Sequence, residues 1–466
     1  MKELNNCNTV LINHNGNQYA FDFINYEILK LNETQHYIFK TLIQDKSIPH
    51  DLSYIQKEII AIILKIKSGL FFTENPIRLY TDDENKVFSI ISFPVVHSCN
   101  MNCKYCYAKS GTTYHGVNKC FEINTINRAY DYLTNLLNTS INSLRLEFVS
   151  GGETLINQDM FKNVITYINQ LATMHNIKIE IFALTNGTLL NDDVINFLNN
   201  SNSMLGVSID GPARIHDYQR PFANGEGSYN VVMNNIRNVI NGKYNNNIWA
   251  VSVITSATDS LIEILNHHMS IGIKSMEMRI VRGENEYGLS ISEQNIEHFK
   301  KIYYDFSEHL KEHPNYLNYI INNYDTFGKL IKRLLVGEKV LYRCQAGKTK
   351  FSFTADGDIY PCDSFVGREE FKIGNIFNGQ QNDKIIDHFY DMSVDKIIEC
   401  KTCEFRYICG GDCYYNKFYN EQNYMYCELQ KYLCILAIDL ICCIKNNDEA
   451  IYAKLVSFAK LREVLK

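Results

Sequence analysis

The sequence has no excess of positive charge. Its 46 Lys and Arg residues are outnumbered by 52 Asp and Glu residues, which gives a formal net charge of -6. Nucleic-acid binding needs a basic patch or stripe, and this balance provides none. We therefore expect no nucleic-acid partner.

An export signal and a membrane-length apolar run are also missing. The first residues, MKELNNCNTVLINHNGNQ, have no apolar stretch between basic residues and a cleavage site. The most apolar segment, YLCILAIDLICCI at 432–444, contains Asp439 and is shorter than the roughly 20 residues that span a bilayer. It predicts a buried helix. We expect a cytoplasmic protein with no membrane partner.

The 466 residues exceed what one hydrophobic core usually holds, so two or three domains are expected. Short β-rich runs at 8–30 precede two helical patterns, ETQHYIFKTLIQD and DLSYIQKEIIAIILKIKSG, and then the polar linker YTDDENK. From residue 87, six strand candidates alternate with amphipathic helical stretches. This alternation predicts a parallel sheet with crossover helices, either open or a partial barrel, with ligands at the carboxyl ends of the strands. Residues 290–338 predict two helices.

Fifteen cysteines without an export signal favour metal ligation, because the cytosol keeps thiols reduced. CNMNCKYCY, residues 99–107, places Cys99, Cys103 and Cys106 close together. Three thiolates with a vacant position suit a four-iron four-sulfur cluster whose fourth iron binds an exogenous ligand. Structural zinc is the alternative, but it prefers four closed ligands, and only His97 and His115 stand nearby.

The C-x3-C-x2-C motif after the first strand of a βα unit resembles the radical S-adenosylmethionine (SAM) enzymes. That resemblance implies that the open iron binds SAM, which is cleaved to a 5'-deoxyadenosyl radical, and that Tyr105 lies beside the adenine. FVSGGETL resembles the family's GGE motif, in which Gly151, Gly152 and Glu153 would hold the SAM amino group. In TNGTLL and VSIDGPARIHDYQR, the residues matched to the SAM site are Asn186 at its rim, and Ser208 and Arg220 near the ribose and carboxylate. Turn, strand-end and solvated-charge roles are the structural alternatives for these three.

Seven more cysteines near the C-terminus resemble the SPASM extension of radical SAM enzymes, which carries two auxiliary clusters. The resemblance implies one cluster bound by Cys400, Cys403, Cys409 and Cys427. The other would be bound by Cys344, Cys362 and Cys413. Some relatives have an eighth cysteine between the first two of this latter set, but this sequence has none. The interval predicts an open iron, unless another group such as Cys7, Cys120 or a carboxylate fills the place. Cys434, Cys442 and Cys443 are interpreted as apolar residues of a C-terminal helix.

The N-terminal module resembles, in element order and size, the PqqD-like recognition element of ribosomal peptide maturases; a simple structural cap is the alternative. An exposed edge of its sheet could bind an extended leader peptide as an added strand.

The resemblances together imply an α/β fold with four parts. These are a winged-helix-like α+β leader-recognition module at 1–80, a partial (β/α)6 barrel radical SAM core at 87–290, a helical bridge at 291–340 and a SPASM domain at 341–466.

The implied cofactors are SAM and three [4Fe-4S] clusters, one binding SAM and two auxiliary. We expect a peptide maturase that forms a cysteine sulfur-to-carbon thioether in a ribosomally made, cysteine-rich precursor with a leader. A ferredoxin or flavodoxin would be the reductant. The alternatives are a sulfatase-maturing type enzyme that makes formylglycine, a carbon-carbon crosslinking enzyme, and a metal-stapled peptide-binding protein without activity. No proton acceptor stands out, because Asp210, Asp356 and Asp412 are equally explained as turn or surface residues.

Overall fold

The computed structural model describes residues 9–45, 88–109, 122–136, 141, 143–149, 151–201, 203–241, 248–283, 286–420 and 422–464. The second N-terminal helical pattern, the polar linker, Cys7 and Cys120 lie outside the described residues.

The N-terminal segment forms a three-stranded antiparallel sheet followed by a helix, in the order the sequence predicts. The first hairpin turns at Asn15 and Gly16, which both have positive φ (49° and 76°), as a tight turn between twisted strands requires. The second turn is held by Asp22, whose Oδ1 accepts hydrogen bonds from the backbone N–H groups of Ile24 (2.8 Å) and Asn25 (2.9 Å). The elements are β1 (Thr9–His14), β2 (Asn17–Asp22), β3 (Glu27–Leu31) and the helix Glu33–Asp45.

This sheet packs against the C-terminal helix Asn423–Asn447. Asp439, only 2% exposed within that helix, accepts a hydrogen bond from the Tyr19 hydroxyl and pairs with Lys311. Phe21 is fully buried and stacks near Phe405, with ring centroids 6.5 Å apart. The N-terminal sheet therefore shares its core with the cysteine-rich region.

The central sheet contains the six parallel strands predicted from the alternating pattern, in consecutive order. Crossover helices connect them, and the partial (β/α)6 barrel is confirmed. The strands are β4 (Phe88–Ser92), β5 (Ser143–Phe148), β6 (Lys178–Thr185), β7 (Met204–Ser208), β8 (Ile248–Ile254) and β9 (Met276–Ile280).

Alternation along β5 separates an apolar face from a charged one. Leu144, Leu146 and Phe148 belong to the main core. Arg145 and Glu147 point to the opposite face, where Arg145 pairs with Glu180 of β6 at 2.7 Å. The face that a ligand would meet at the strand ends is therefore polar.

The cysteine-rich region extends the same sheet. Lys350–Phe353 (β10) pairs parallel with β4, and the hairpin to Asp358–Tyr360 (β11) turns at Gly357, whose φ is +79°. Two helices, Ile296–Glu312 and Gly328–Val336, occupy the interval where two were predicted, with short helical turns between them. Within the described residues, no helix has the length and apolarity needed to cross a membrane.

Candidate active site

The loop with the first three cysteines follows β4 and is fixed by backbone hydrogen bonds to a second loop. The Asn102 N–H donates to the carbonyl of Pro221 (2.9 Å), and the Lys104 N–H donates to that of Gln219 (3.0 Å). Burial raises the pKa of Cys99 to about 11 and that of Cys103 to about 12. Burial therefore disfavours the thiolate forms of these residues, which a bound metal would stabilise.

The glycine pair is pressed against this loop. A Cβ at position 152 would lie 2.2 Å from the Ser98 carbonyl oxygen and 2.3 Å from that of Val96. Gly151 has a φ of +82°, and a Cβ there would meet His97 Nδ1 at 2.9 Å. Glycine is therefore favoured at position 152 by the close approach of two backbone segments, and at position 151 by the positive φ and the neighbouring His97 side chain.

The Glu153 carboxylate is buried beside the ends of β5 and β6. It accepts hydrogen bonds from Thr185 Oγ1 (2.5 Å), Asn186 N–H (2.7 Å) and Leu155 N–H (3.0 Å). Burial raises its pKa, which these donors partly oppose. The carboxylate is thus fixed in one orientation.

Asn186, predicted at the rim of the SAM site, lies beside the loop that carries the first three cysteines. It is 5% exposed, and its Nδ2 donates to Asn100 Oδ1 (2.8 Å) and lies 3.8 Å from Cys99 Sγ. Its Oδ1 accepts from the Thr188 N–H (2.9 Å) and hydroxyl. The Asn186 side chain thus contacts the cysteine loop at Cys99 and Asn100.

Tyr105, Asp210 and Arg220 form a buried network beside Cys103. The Tyr105 hydroxyl donates to Asp210 Oδ2 (2.8 Å) and contacts Arg220 Nη1. Gln219 Nε2 donates to the same carboxylate oxygen at 3.1 Å. Arg220 is 7% exposed and Asp210 fully buried, so neither the solvated-charge alternative nor the surface interpretation of Asp210 holds. Ser208, at the end of β7, is 8% exposed.

The C-terminal cysteines lie in two sets. Burial is the largest cause that raises the pKa of Cys400, to about 12. The charges of Cys409, Cys427 and Cys403 raise it further. Burial also raises the pKa of Cys362, which Asp363, Cys344 and Cys413 raise further. Cys400 is thus close to the other three thiols of its expected set, and Cys362 is close to the other two of its own. Cys434 and Cys442 are buried in the C-terminal helix, as predicted, whereas Cys443 is half-buried.

The sequence interpretation missed Asp363. Its Oδ2 accepts a hydrogen bond from the Tyr107 hydroxyl (2.8 Å), and its Oδ1 lies 3.2 Å from Lys350 Nζ. Burial opposes ionisation, but Lys350 and Arg282 outweigh it and lower the pKa of Asp363. The signal in the sequence is a carboxylate directly after a cluster-type cysteine, Cys362.

Two family profiles match the parts of the chain that carry these sites. The Radical SAM superfamily profile matches residues 93–268, and the SPASM profile, an iron-sulfur cluster-binding domain, matches residues 344–409. The chain contains a radical SAM domain and a SPASM domain. The PqqD-like resemblance of the N-terminal module stays a prediction.

Two relatives of this chain are sulfatase-maturating enzymes. A cysteine-type anaerobic sulfatase-maturating enzyme of Clostridium novyi is 26% identical over 72% of this chain and 91% of its own length. A serine-type enzyme of Bacteroides thetaiotaomicron is 26% identical over 70% of this chain and 82% of its own.

A solved structure named native anSMEcpe with bound AdoMet has a similar fold. Its TM-score is 0.61 at 21% identity, and the match covers 77% of this chain and 100% of the other. A second structure of that protein, with bound AdoMet and a Cp18Cys peptide, also has a TM-score of 0.61 at 22% identity, over 77% and 99% of the two chains. The likeness shows the fold.

The cofactors of these domains are SAM and [4Fe-4S] clusters, one that binds SAM and auxiliary ones. The side chains of the radical SAM domain fit them. The loop offers three thiols, position 152 has room only for hydrogen, and Arg220 Nε is buried without a hydrogen-bond partner among the described residues. A buried donor of this kind suits an anionic ligand group such as a carboxylate.

Proposed function

We propose that this protein oxidises a cysteine or serine side chain of a peptide or protein substrate to formylglycine. The relatives that support this proposal include both cysteine-type and serine-type maturases, and they align with 70% or more of this chain. Of the alternatives considered from the sequence, the formylglycine reaction is therefore better supported than thioether formation.

Cys99, Cys103 and Cys106 would hold the SAM-binding cluster, and Gly151, Gly152, Glu153 and Arg220 would hold SAM. Cys400, Cys403, Cys409 and Cys427 would hold one auxiliary cluster, and Cys344, Cys362 and Cys413 the other. When bound, SAM and its cluster supply a 5'-deoxyadenosyl radical that removes a hydrogen atom, and an auxiliary cluster supplies an electron acceptor. The protein contributes positioning, exclusion of water and proton transfer.

The observation that carries the proposal is the position of Asp363. It directly follows Cys362, and its hydrogen bond to Tyr107 joins it to the residue that directly follows Cys106. The Asp363 carboxylate thus joins, through Tyr107, the segments that follow the two cysteines. Oxidation of a cysteine β-carbon requires loss of a hydrogen atom, an electron and the thiol proton, and in this proposal Asp363 accepts that proton.

Lys350 favours the anionic form of this carboxylate, which is the form that can accept a proton. It pairs with Glu147 at 2.7 Å and with Asp363 at 3.2 Å, so one cation connects the barrel strand β5 with the auxiliary region. Asp363 accepts the proton as an anion held by two cations and a tyrosine. Water then replaces sulfur at the oxidised carbon, which releases hydrogen sulfide and leaves the aldehyde.

Thioether formation in a leader-bearing peptide is the second candidate. Two observations favour it: Cys344 is exposed, and no eighth cysteine occurs between Cys344 and Cys362. An exposed, incompletely ligated iron could bind a substrate thiolate. The N-terminal strands followed by a helix have the element order of a leader-binding module.

Mass spectrometry of anaerobic reactions separates the two candidates. The reconstituted full chain, SAM and a strong reductant are incubated with a cysteine peptide, its serine counterpart and an alanine control. Formylglycine formation predicts loss of sulfur from the cysteine peptide, loss of two hydrogens from the serine peptide, and in both an aldehyde that reacts with a hydrazide probe. A thioether would keep the sulfur, lose two hydrogens and resist alkylation. SAM cleavage with all peptides unchanged would contradict both candidates for these substrates.

A further inference from the structure

Cationic side chains lie close to the C-terminal cysteines. Lys329 and Arg333, on the helix Gly328–Val336, are 9% and 8% exposed. The charge of Arg343 is felt by Lys329, Arg333 and Asp412, which shows that these groups are close together. Arg282 is similarly close to Cys413 and Cys362. Side chains of this kind are seldom buried unless an anion compensates them.

Two of the guanidinium groups converge on one cysteine. Arg333 Nη1 donates to the carbonyl oxygens of Ile408 (2.7 Å) and Cys409 (3.2 Å). Arg343 Nη1 donates to the same Cys409 carbonyl (3.3 Å) and to Gln430 Oε1 (3.4 Å). Both cations are thereby fixed next to the cysteine set at 400–427.

Among the described residues, two carboxylates lie near these cations, and one of them is shared with a lysine. Glu338 acts on Arg333 but also pairs with Lys332 at 3.3 Å. The Asp412 carboxylate is close enough to Arg343 for their opposite charges to attract each other. A cluster with thiolate and sulfide ligands supplies the additional negative charge that this buried region needs.

The segment that joins the two cysteine sets is short. Cys409 and Cys413 are separated only by Gly410, Gly411 and Asp412. Gly410 has a φ of +76°, and a Cβ there would lie 2.9 Å from the Tyr342 carbonyl oxygen. The glycine turn keeps Cys409 and its two guanidinium partners next to the other cysteine set.

We propose that Arg333 and Arg343 raise the reduction potential of the auxiliary cluster held by Cys400, Cys403, Cys409 and Cys427, so that it accepts the electron released by substrate oxidation. Reduction adds one negative charge to a cluster, and fixed cations in a buried region stabilise that charge. Both arginines act through the cluster and are positioning residues. The inference rests on the proposed cluster ligands and on the oxidative reaction proposed above.

The test is a redox titration monitored by electron paramagnetic resonance, without substrate. The full chain carries alanine at Cys99, Cys103 and Cys106, so that only the auxiliary clusters contribute signals. Arg343→Gln should shift one of the auxiliary potentials to a more negative value, and Arg333→Gln should shift the same one. Arg343→Lys, which keeps the charge, should restore most of the original potential.

Lys401→Gln is the matched control, because Lys401 follows Cys400 but is exposed, so water screens its charge. In this variant the reduction potential of the auxiliary cluster should stay at the original value. Iron and sulfide content identify the variants that retain both auxiliary clusters. One glutamine variant that retains both is enough to compare its potentials with those of the parent chain. Unchanged potentials in a cluster-complete glutamine variant would overturn the inference. Since no substrate is present, this result is independent of whether the peptide product is formylglycine.

Discussion

The Tyr107 hydroxyl donates a 2.8 Å hydrogen bond to Asp363 Oδ2 across 256 positions of sequence. Each partner directly follows a cysteine, Cys106 in the radical SAM domain and Cys362 in the SPASM domain. This bond therefore connects the segment that follows Cys106 with the segment that follows Cys362.

Replacing Asp363 with Asn tests its role as proton acceptor. The amide keeps the size of the side chain but cannot take a proton, so we expect product formation to fall by roughly 100-fold or more. SAM cleavage should continue, because Asp363 is not among the residues proposed to hold SAM. Liquid chromatography of 5'-deoxyadenosine and mass spectrometry of the peptide measure the two rates separately.

Asp383→Asn is the control, since Asp383 is an exposed carboxylate of the same region. It should leave both rates unchanged. Full product formation by the Asp363 variant would assign proton transfer to another group.

The first three cysteines are tested by single alanine replacements at Cys99, Cys103 and Cys106. Each variant should lose one cluster's share of iron and sulfide and produce no detectable 5'-deoxyadenosine, because each ligand is needed to hold the cluster. Cys443→Ala, a change in the half-buried end of the C-terminal helix, should leave both measurements unchanged. Continued SAM cleavage in any of the three variants would remove that cysteine from the ligand set.

The barrel strands and the cysteine spacings were predictable because their signals are local. Six apolar runs of strand length at regular intervals define the parallel sheet, and three thiols within eight positions can only be near one another. The glycine pair was also recognisable, although the reason for it, the approach of the Ser98 and Val96 carbonyl groups, is visible only in the structure.

Burial across long sequence distances was not predictable. Asp210 and Arg220 have the residue types and neighbours of a surface turn, yet Tyr105 contacts both in the core. The pKa of Asp363 is lowered by Lys350 and Arg282, which lie on other parts of the chain. The packing of the N-terminal sheet on Asp439 depends in the same way on residues hundreds of positions apart.

Asp439 should matter for stability more than for chemistry. Replacing it with Ala leaves Lys311, whose side chain is 15% exposed, with Glu308 as its remaining partner and deprives Tyr19 of its acceptor. Loss of one member of a buried pair typically costs 3–5 kcal/mol, and with Glu308 still present we expect about 3 kcal/mol. Urea unfolding measures this loss.

Asp305→Ala removes an exposed partner of Lys301 on the same helix as Lys311 and should cost at most about 1 kcal/mol. Equal stability of the two variants would mean that the Asp439 contacts add nothing beyond a surface pair.

Gly152→Ala tests the contact between the glycine pair and the cysteine loop. The new Cβ would lie 2.2 Å and 2.3 Å from two backbone carbonyl oxygens, which cannot move aside as a flexible side chain can. Overpacking of this kind typically costs about 1–3 kcal/mol, and here it displaces Ser98, the residue before Cys99. We expect SAM affinity to fall about tenfold or more, since 1.4 kcal/mol corresponds to tenfold.

Gly225→Ala is the control, because nothing lies within 4 Å of a Cβ there and only the strain of its φ of +88° is added. Equilibrium binding of SAM to the reconstituted variants gives the comparison, and equal affinities would show that the loop can yield without affecting the site.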